Sequence, residues 1–299
     1  MGEGGHWYDP ITRKLVLEVP MTSKGREGEV RPPTLRDARK YGWRPSVTTL
    51  LSILAKPGLD IWKVQEAVRT TRLFGRDMLT PEVEYVKRIV EASQERVEEA
   101  AEFGTKVHYA LSMGFIDWSM MLTNTEDPYR AIANEVLNWC RAAGLECERS
   151  EHSFISPLGW AGTVDFLGTY QGKPVIVDFK TQEFDNPKDA NFYDPEHPLQ
   201  LAGYDLGVNA HTVGGLAGVQ YMSIIISRTT LGCIATKIWP DQQRYRAAFL
   251  TLWELWKLLK GYDPVSQEAQ AEWQEAKHKQ EFQRSPRKSV DLSAGGSLS

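Results

Sequence analysis

Cysteine is scarce and unpaired in this sequence. Cys140, Cys147 and Cys233 are its only three, with no CxxC spacing among them. That pattern supports neither a zinc knuckle nor a disulfide framework, and leaves small buried hydrophobes as the reading. An early apolar segment of signal-peptide length is missing, as is any run of about 18 apolar residues, so no membrane partner is expected and the setting is read as cytoplasmic. A basic excess is missing too. The 35 Lys and Arg are outnumbered by 39 Asp and Glu, for a net charge of −4, which argues against coating nucleic acid through the overall field and confines any such contact to a local groove. There are no internal repeats. What is present is 299 residues with 41% hydrophobic content, enough to bury a sizeable core.

The first strand or hairpin is expected in HWYDPITRKLVLEVP. A loop-rich stretch follows from Lys24 to Arg44, where seven Lys or Arg stand against Glu27, Glu29 and Asp37. This local surplus is opposite in sign to the whole chain and suits either a solvated loop or a phosphate-contacting edge built on Arg39, Lys40, Trp43 and Arg44. Ser46 is a candidate N-cap for two helices broken at Lys56-Pro57-Gly58. From Pro81, apolar Val83, Val86, Ile89, Val90 and Val97 recur at helical spacing, which predicts a long amphipathic helix with an interruption near Gly104. Another helix is predicted over Asp127–Ala143, closed by Gly144. Three short β-rich runs then read as an antiparallel meander, followed by a helix in HPLQLAGYDLGVNA, two strands, and a helix from Asp241 to Lys260. The order predicts an α/β core behind a helical N-terminal part.

The stretch GKPVIVDFKT ends an apolar strand with two charges, Asp178 and Lys180, on one face. Burying unpaired charge costs several kcal/mol, so a strand alone has little use for this ending. Asp165 in GTVDFLG lies on the preceding strand, where it can stand beside Asp178. Two converging carboxylates repel unless a cation sits between them, and hard oxygen ligands, with the Phe179 carbonyl as a further one, suit Mg²⁺ or Mn²⁺. On this reading Lys180 neighbours the metal-bound water rather than forming a salt bridge, and it serves as a base only if its surroundings lower its pKa. Two further pieces accompany the pair. GTKVHYAL carries His108 on a helix, and PLQLAGY places Gln200 and Tyr204 at i and i+4 on one helical face.

Taken together, GTKVHYAL, EHSFISPLGWAGTVDFLG, VIVDFKT and HPLQLAGYDLG resemble the RecB-like branch of the PD-(D/E)XK nuclease superfamily. The set is most similar to phage and mitochondrial genome maintenance exonucleases, and is related to the CRISPR-associated RecB-like nucleases. The stretch RPSVTTLLSILAKPGLDIWK resembles the opening helix of the phage and mitochondrial members. The resemblance implies a mixed central sheet flanked by helices. It implies that His108, Asp165, Asp178 and the Phe179 carbonyl bind one or two Mg²⁺ or Mn²⁺ ions, and that Lys180 is the catalytic lysine. Gln200 and Tyr204 would face substrate phosphate, and Glu151 matches a further acidic position. Because the chain has no cysteine after Cys233, no iron–sulfur cluster is expected.

The resulting domain reading is an N-terminal strand and basic arm over 1–45, a helical part over 46–144, a nuclease core over 145–262, and a polar, flexible tail over 263–299. The function expected is a metal-dependent DNA exonuclease preferring single strands or frayed ends, in phage-type recombination, repair or replication, with a recombinase or replication protein as a further partner. A structure-specific endonuclease or nickase on the same core, and a catalytically silent DNA-binding module, are the alternatives. Tyr41, Trp43 and Trp62 near the basic arm suit base stacking, and the long charged helix before His108 suits an arch through which a strand threads.

Overall fold

The computed structural model describes residues 5–21, 28–55, 57–75, 80–117, 126–210 and 218–266. Most of the predicted tail therefore lies outside the described residues. The N-terminal hairpin forms as expected: β1 (Trp7–Tyr8) pairs antiparallel with β2 (Leu15–Val16) and also with β5 (Arg44–Pro45). Between them lie the ribbon of β3 (Val19–Pro20) and β4 (Val30–Arg31) and the short helix α1 (Leu35–Tyr41). Helix α1 starts on a capping box in which Thr34 and Asp37 satisfy each other's backbone N–H. Ser46 caps α2 (Val47–Leu51), its Oγ accepting from the Thr49 N–H at 3.0 Å.

Helix α3 (Pro57–Phe74) begins at the predicted proline, and α4 (Glu82–Ile116) runs 35 residues without a break. The interruption expected at Gly104 does not occur. A Cβ on Gly104 would sit 3.3 Å from Thr181 Oγ1, so this glycine lets the helix pass close to a strand, and its missing side chain serves packing rather than helix termination. Nor is the whole apolar stripe of α4 buried: Ile89 is, whereas Val83, Val86 and Val90 are exposed. Helix α5 (Pro128–Ala143) is capped by Asp127 and closed by left-handed Gly144.

The central sheet has five strands in the order β10-β9-β8-β7-β6, formed by β6 (Leu145–Ile155), β7 (Ala161–Tyr170), β8 (Lys173–Gln182), β9 (Gln220–Ser227) and β10 (Ile234–Trp239). Strands β6, β7 and β8 make the predicted antiparallel meander. Strand β9 runs parallel to β8, which requires a crossover, and α6 (Glu196–Val208) supplies it. Helix α7 (Gln242–Lys260) follows β10.

Helical layers cover both faces of the sheet. On one face, Val175, Val177, Phe179 and Met222 pack with Val107 and Leu111 of α4 and Val136 and Leu137 of α5. On the other, Ile176, Tyr221 and Trp239 pack with α2, α6 and α7. Helix α6 is buried from His197 to Gly207, and a Cβ on Gly203 would fall 2.5 Å from the Phe249 ring, so the close approach of α6 and α7 depends on that glycine. The fold is thus mixed α/β, with a five-stranded mixed sheet and seven helices among the described residues. No described helix is long and apolar enough to cross a membrane.

Candidate metal centre

The sheet opens into a fork at the expected carboxylates. The β7–β8 ladder ends at the pair Phe166–Val177, one step before Asp165 and Asp178 would face each other. In place of a ladder bond, the Phe179 N–H donates to Asp165 Oδ2 at 2.8 Å. The carbonyl of a strand residue points the same way as its N–H, which turns the Phe179 oxygen toward the fork as well.

Beside it, β6 and β7 pair at Ser150–Phe166 and at His152–Val164 but not at the intervening Glu151 and Asp165. Glu151 is left-handed, at φ 48°, a conformation costly for a residue with a Cβ and frequent at functional sites. Across this break Val164 packs on the α6 face while Phe166 packs on the α4 face, although side chains two apart ordinarily share a face. The broken pleat turns Glu151 and Asp165 toward α4.

There they meet His108. Its Nδ1 lies 3.5 Å from Asp165 Oδ1 and 3.8 Å from Glu151 Oε1, and donor atoms of all three residues fall within 4.8 Å of one another. The set departs from the sequence expectation. Glu151, read there as an additional acidic position, is inside the group. Asp178, read as a principal ligand, stands beside this group: Lys180 Nζ lies 2.8 Å from both its oxygens, Gln200 Nε2 donates to its Oδ1 at 2.8 Å, and its buried Oδ2 has no hydrogen-bond partner among the described residues. Lys180 is therefore a salt-bridge partner, contrary to the reading that kept it apart.

The electrostatics follow from this packing. Burial opposes a charge on His108, but Asp165 and Glu151 outweigh it and push the imidazole up to about 10. Burial likewise opposes the charge on Asp165, yet His108, Lys180 and the Phe179 amide hold its carboxyl below the usual range. Asp178 is pushed up to about 6 by burial and by the charge of Asp165, against the pull of Lys180. For Lys180, burial is outweighed by Asp178 and Asp165, and the ammonium titrates above its ordinary value.

Gln200 and Tyr204 do share a face of α6, with Gln200 Nε2 donating to the Tyr204 hydroxyl at 2.7 Å. Both are buried and turned onto Asp178, where burial and the two aspartates raise the Tyr204 phenol well above 10. They support Asp178 from beneath, whereas the residues that reach the cavity wall are His108, Glu151, Phe179 and Lys180.

That cavity has a volume of about 1,100 Å³. It is also lined by side chains that the sequence reading did not assign to the site: Arg69 from α3, Tyr109 from α4, Tyr193 and His197 before and within α6, and Arg228 after β9. Trp62, which was read as a stacking candidate, lines it too. The basic arm does not. Arg39 donates to the Lys260 carbonyl and Arg44 to the Pro264 carbonyl, Trp43 stacks on Tyr41 at 5.0 Å and packs against the core, and Lys40 lies over the Tyr41 ring. These residues bind the N-terminal segment to the end of α7.

No family model and no curated protein matches the chain. Among solved structures it is similar to one described as "Crystal structure of SSO0001", at 15% identity over 54% of this chain and 76% of that one, with a TM-score of 0.26. A likeness this slight carries no argument about fold or function.

Proposed function

We propose that this chain is a divalent-metal-dependent deoxyribonuclease with a RecB-like PD-(D/E)XK core, acting from the ends of single-stranded or frayed DNA. The observation that carries the reading is the convergence of His108, Glu151 and Asp165 at the fork of the sheet, next to the Asp178–Lys180 pair and open to a cavity large enough for a nucleotide. Two carboxylates are hard oxygen donors that suit Mg²⁺ or Mn²⁺, and the single imidazole is the softer member of the set. The left-handed backbone at Glu151 supports the same reading, because a strand with only a structural task has no need of it.

In this reading His108, Glu151 and Asp165 hold the ion, with the Phe179 carbonyl beside them. A bound divalent ion supplies Lewis-acid stabilisation of a phosphoryl oxygen and lowers the pKa of its water. Lys180 contributes a positive charge to the phosphoryl oxygens rather than a base, since its ammonium stands among carboxylates. Asp178 holds that ammonium in place, and Gln200 and Tyr204 hold Asp178.

Attack from ends is the finer part of the proposal. It rests on α3 and α4, which pack on each other and both contribute to the cavity wall. Linear single-stranded DNA is expected to be degraded with Mg²⁺ or Mn²⁺ while covalently closed circles of the same sequence survive. Equal cleavage of both forms, followed on a denaturing gel, would replace the exonuclease with an endonuclease on the same core.

A further inference from the structure

Besides the acidic cluster, the cavity wall carries a second charged group. Glu183, the residue after β8, is gripped by two arginines from different parts of the chain. Arg69 Nη1 donates to its Oε2 at 2.9 Å and Arg228 Nη2 to its Oε1 at 3.2 Å. Arg69 also binds Glu66 at 2.8 Å, and Glu66, buried between α3 and α4, takes Arg96 Nε at 2.7 Å. Three guanidinium charges thus meet two carboxylates, leaving one positive charge uncompensated within the group.

Several features separate this group from an ordinary surface ion pair. Both arginines face the cavity that His108 and Lys180 line. Arg228 is only 16% exposed, is set in place by its backbone bond to the Gln182 carbonyl at 2.8 Å, and lies over the Phe103 ring. Its Nε–H is buried without an acceptor among the described residues, and a buried donor left unmatched is costly. Glu183 itself is 39% exposed and Arg69 48%, so the anion these arginines hold is within reach of solvent or a ligand, unlike Glu66 at 3%. Planar guanidinium forks match phosphate as well as carboxylate.

We infer that Arg69 and Arg228 form a clasp for a non-reacting phosphate of the polynucleotide, and that Glu183 occupies the phosphate position until substrate arrives. The inference rests on the nuclease reading above and deepens it. Glu183 follows Lys180 by three residues, roughly 10 Å along an extended chain, which places the clasp about one to three nucleotides from the reacting phosphodiester. Substrate phosphate would exchange one anion for another at the arginines. Because α3 meets the strand side of the cavity through the Arg69–Glu183 bridge, the exchange also loosens α3 where the strand enters.

The test is binding of a fluorescent single-stranded oligodeoxynucleotide in chelator, so that nothing is cut, read by anisotropy across a salt series. Arg69→Gln and Arg228→Gln should each reduce the slope of log affinity against log salt by about 0.7, the value for one phosphate contact on a single strand, and Arg69→Lys should keep the slope. Glu183→Gln should tighten binding about two- to five-fold at low salt, because a competing anion is gone. A purely structural bridge predicts the opposite sign, since loss of Glu183 would then slacken the arginines. Wild-type binding with unchanged slopes in both Gln variants, or weaker binding by Glu183→Gln, overturns the clasp alone. A wild type that neither binds nor cuts DNA overturns the clasp together with the reading it rests on.

Discussion

Replacing Lys180 by Met is expected to slow the proposed DNA cleavage about 10²–10³-fold while the protein stays folded. The magnitude is that of removing one positioned donor from charge developing on a reacting group. The ammonium is held 2.8 Å from both oxygens of Asp178, and Asp178 is in turn fixed by Gln200, so its position at the cavity wall is set before substrate arrives. Folding survives because Asp178 does not need to remain a buried anion. Its pKa already lies near 6 through burial and the charge of Asp165, so losing the lysine lets it take up a proton at modest cost, with Gln200 still bound. Single-turnover rates beside thermal melts check both halves. An unchanged rate would remove Lys180 from the chemistry, and a collapsed melt would make the Asp178–Lys180 pair a structural one.

The largest stability effect is expected in the helical layer beneath the fork. Asp205 in α6 is fully buried and accepts Tyr221 Oη at 2.7 Å, Arg246 Nε at 2.6 Å and Asn209 Nδ2 at 3.0 Å. One carboxylate thereby joins α6, β9 and α7, the elements that place Gln200 and Tyr204 under Asp178. Asp205→Ala leaves the Arg246 guanidinium buried beside an emptied site, a change that costs about 3–5 kcal/mol, or roughly 6–20 °C in melting temperature for a domain of this size. Replacing the group as a whole, with Asp205→Leu, Arg246→Met and Tyr221→Phe, should recover most of that loss, because no charge is then stranded. A loss below about 1 kcal/mol for the single variant in denaturant titrations would contradict this account of the α6–α7 layer.

The parts of the site that were legible in the sequence are those governed by local periodicity. Asp178 and Lys180 are two residues apart on a strand, and Gln200 and Tyr204 are four apart on a helix, so spacing alone puts each pair on one face. The meander, the crossover helix and the caps at Ser46 and Gly144 were legible for the same reason. Glu151 joins the cluster through a left-handed residue that breaks the pleat, and no alternation rule marks such a break. Gly104 reads as a helix breaker until the strand it approaches is known.

His108 and Asp165 were brought together by the resemblance, but long-range pairing outside those motifs was not legible. Arg69 and Glu183 are 114 residues apart and Arg228 and Glu183 are 45 apart, while Arg39 and Arg44 find carbonyls more than 200 residues away. Composition identified a basic stretch, and its Arg39 and Arg44 donate to carbonyls at the end of α7 and just beyond it. The charges that face the cavity come instead from α3 and the turn after β9, where nothing in the local sequence distinguishes them from solvated arginines.

The central claim is that the cluster at the fork supports metal-dependent phosphodiester hydrolysis, and the most direct measurement is digestion of end-labelled linear single-stranded DNA with Mg²⁺, with Mn²⁺ and with chelator, beside the Asp165→Asn protein. The account predicts release of short products in either metal, none in chelator, and none from the variant in any condition. Intact DNA throughout, with wild-type binding preserved, would contradict it and leave a binding module on the same fold.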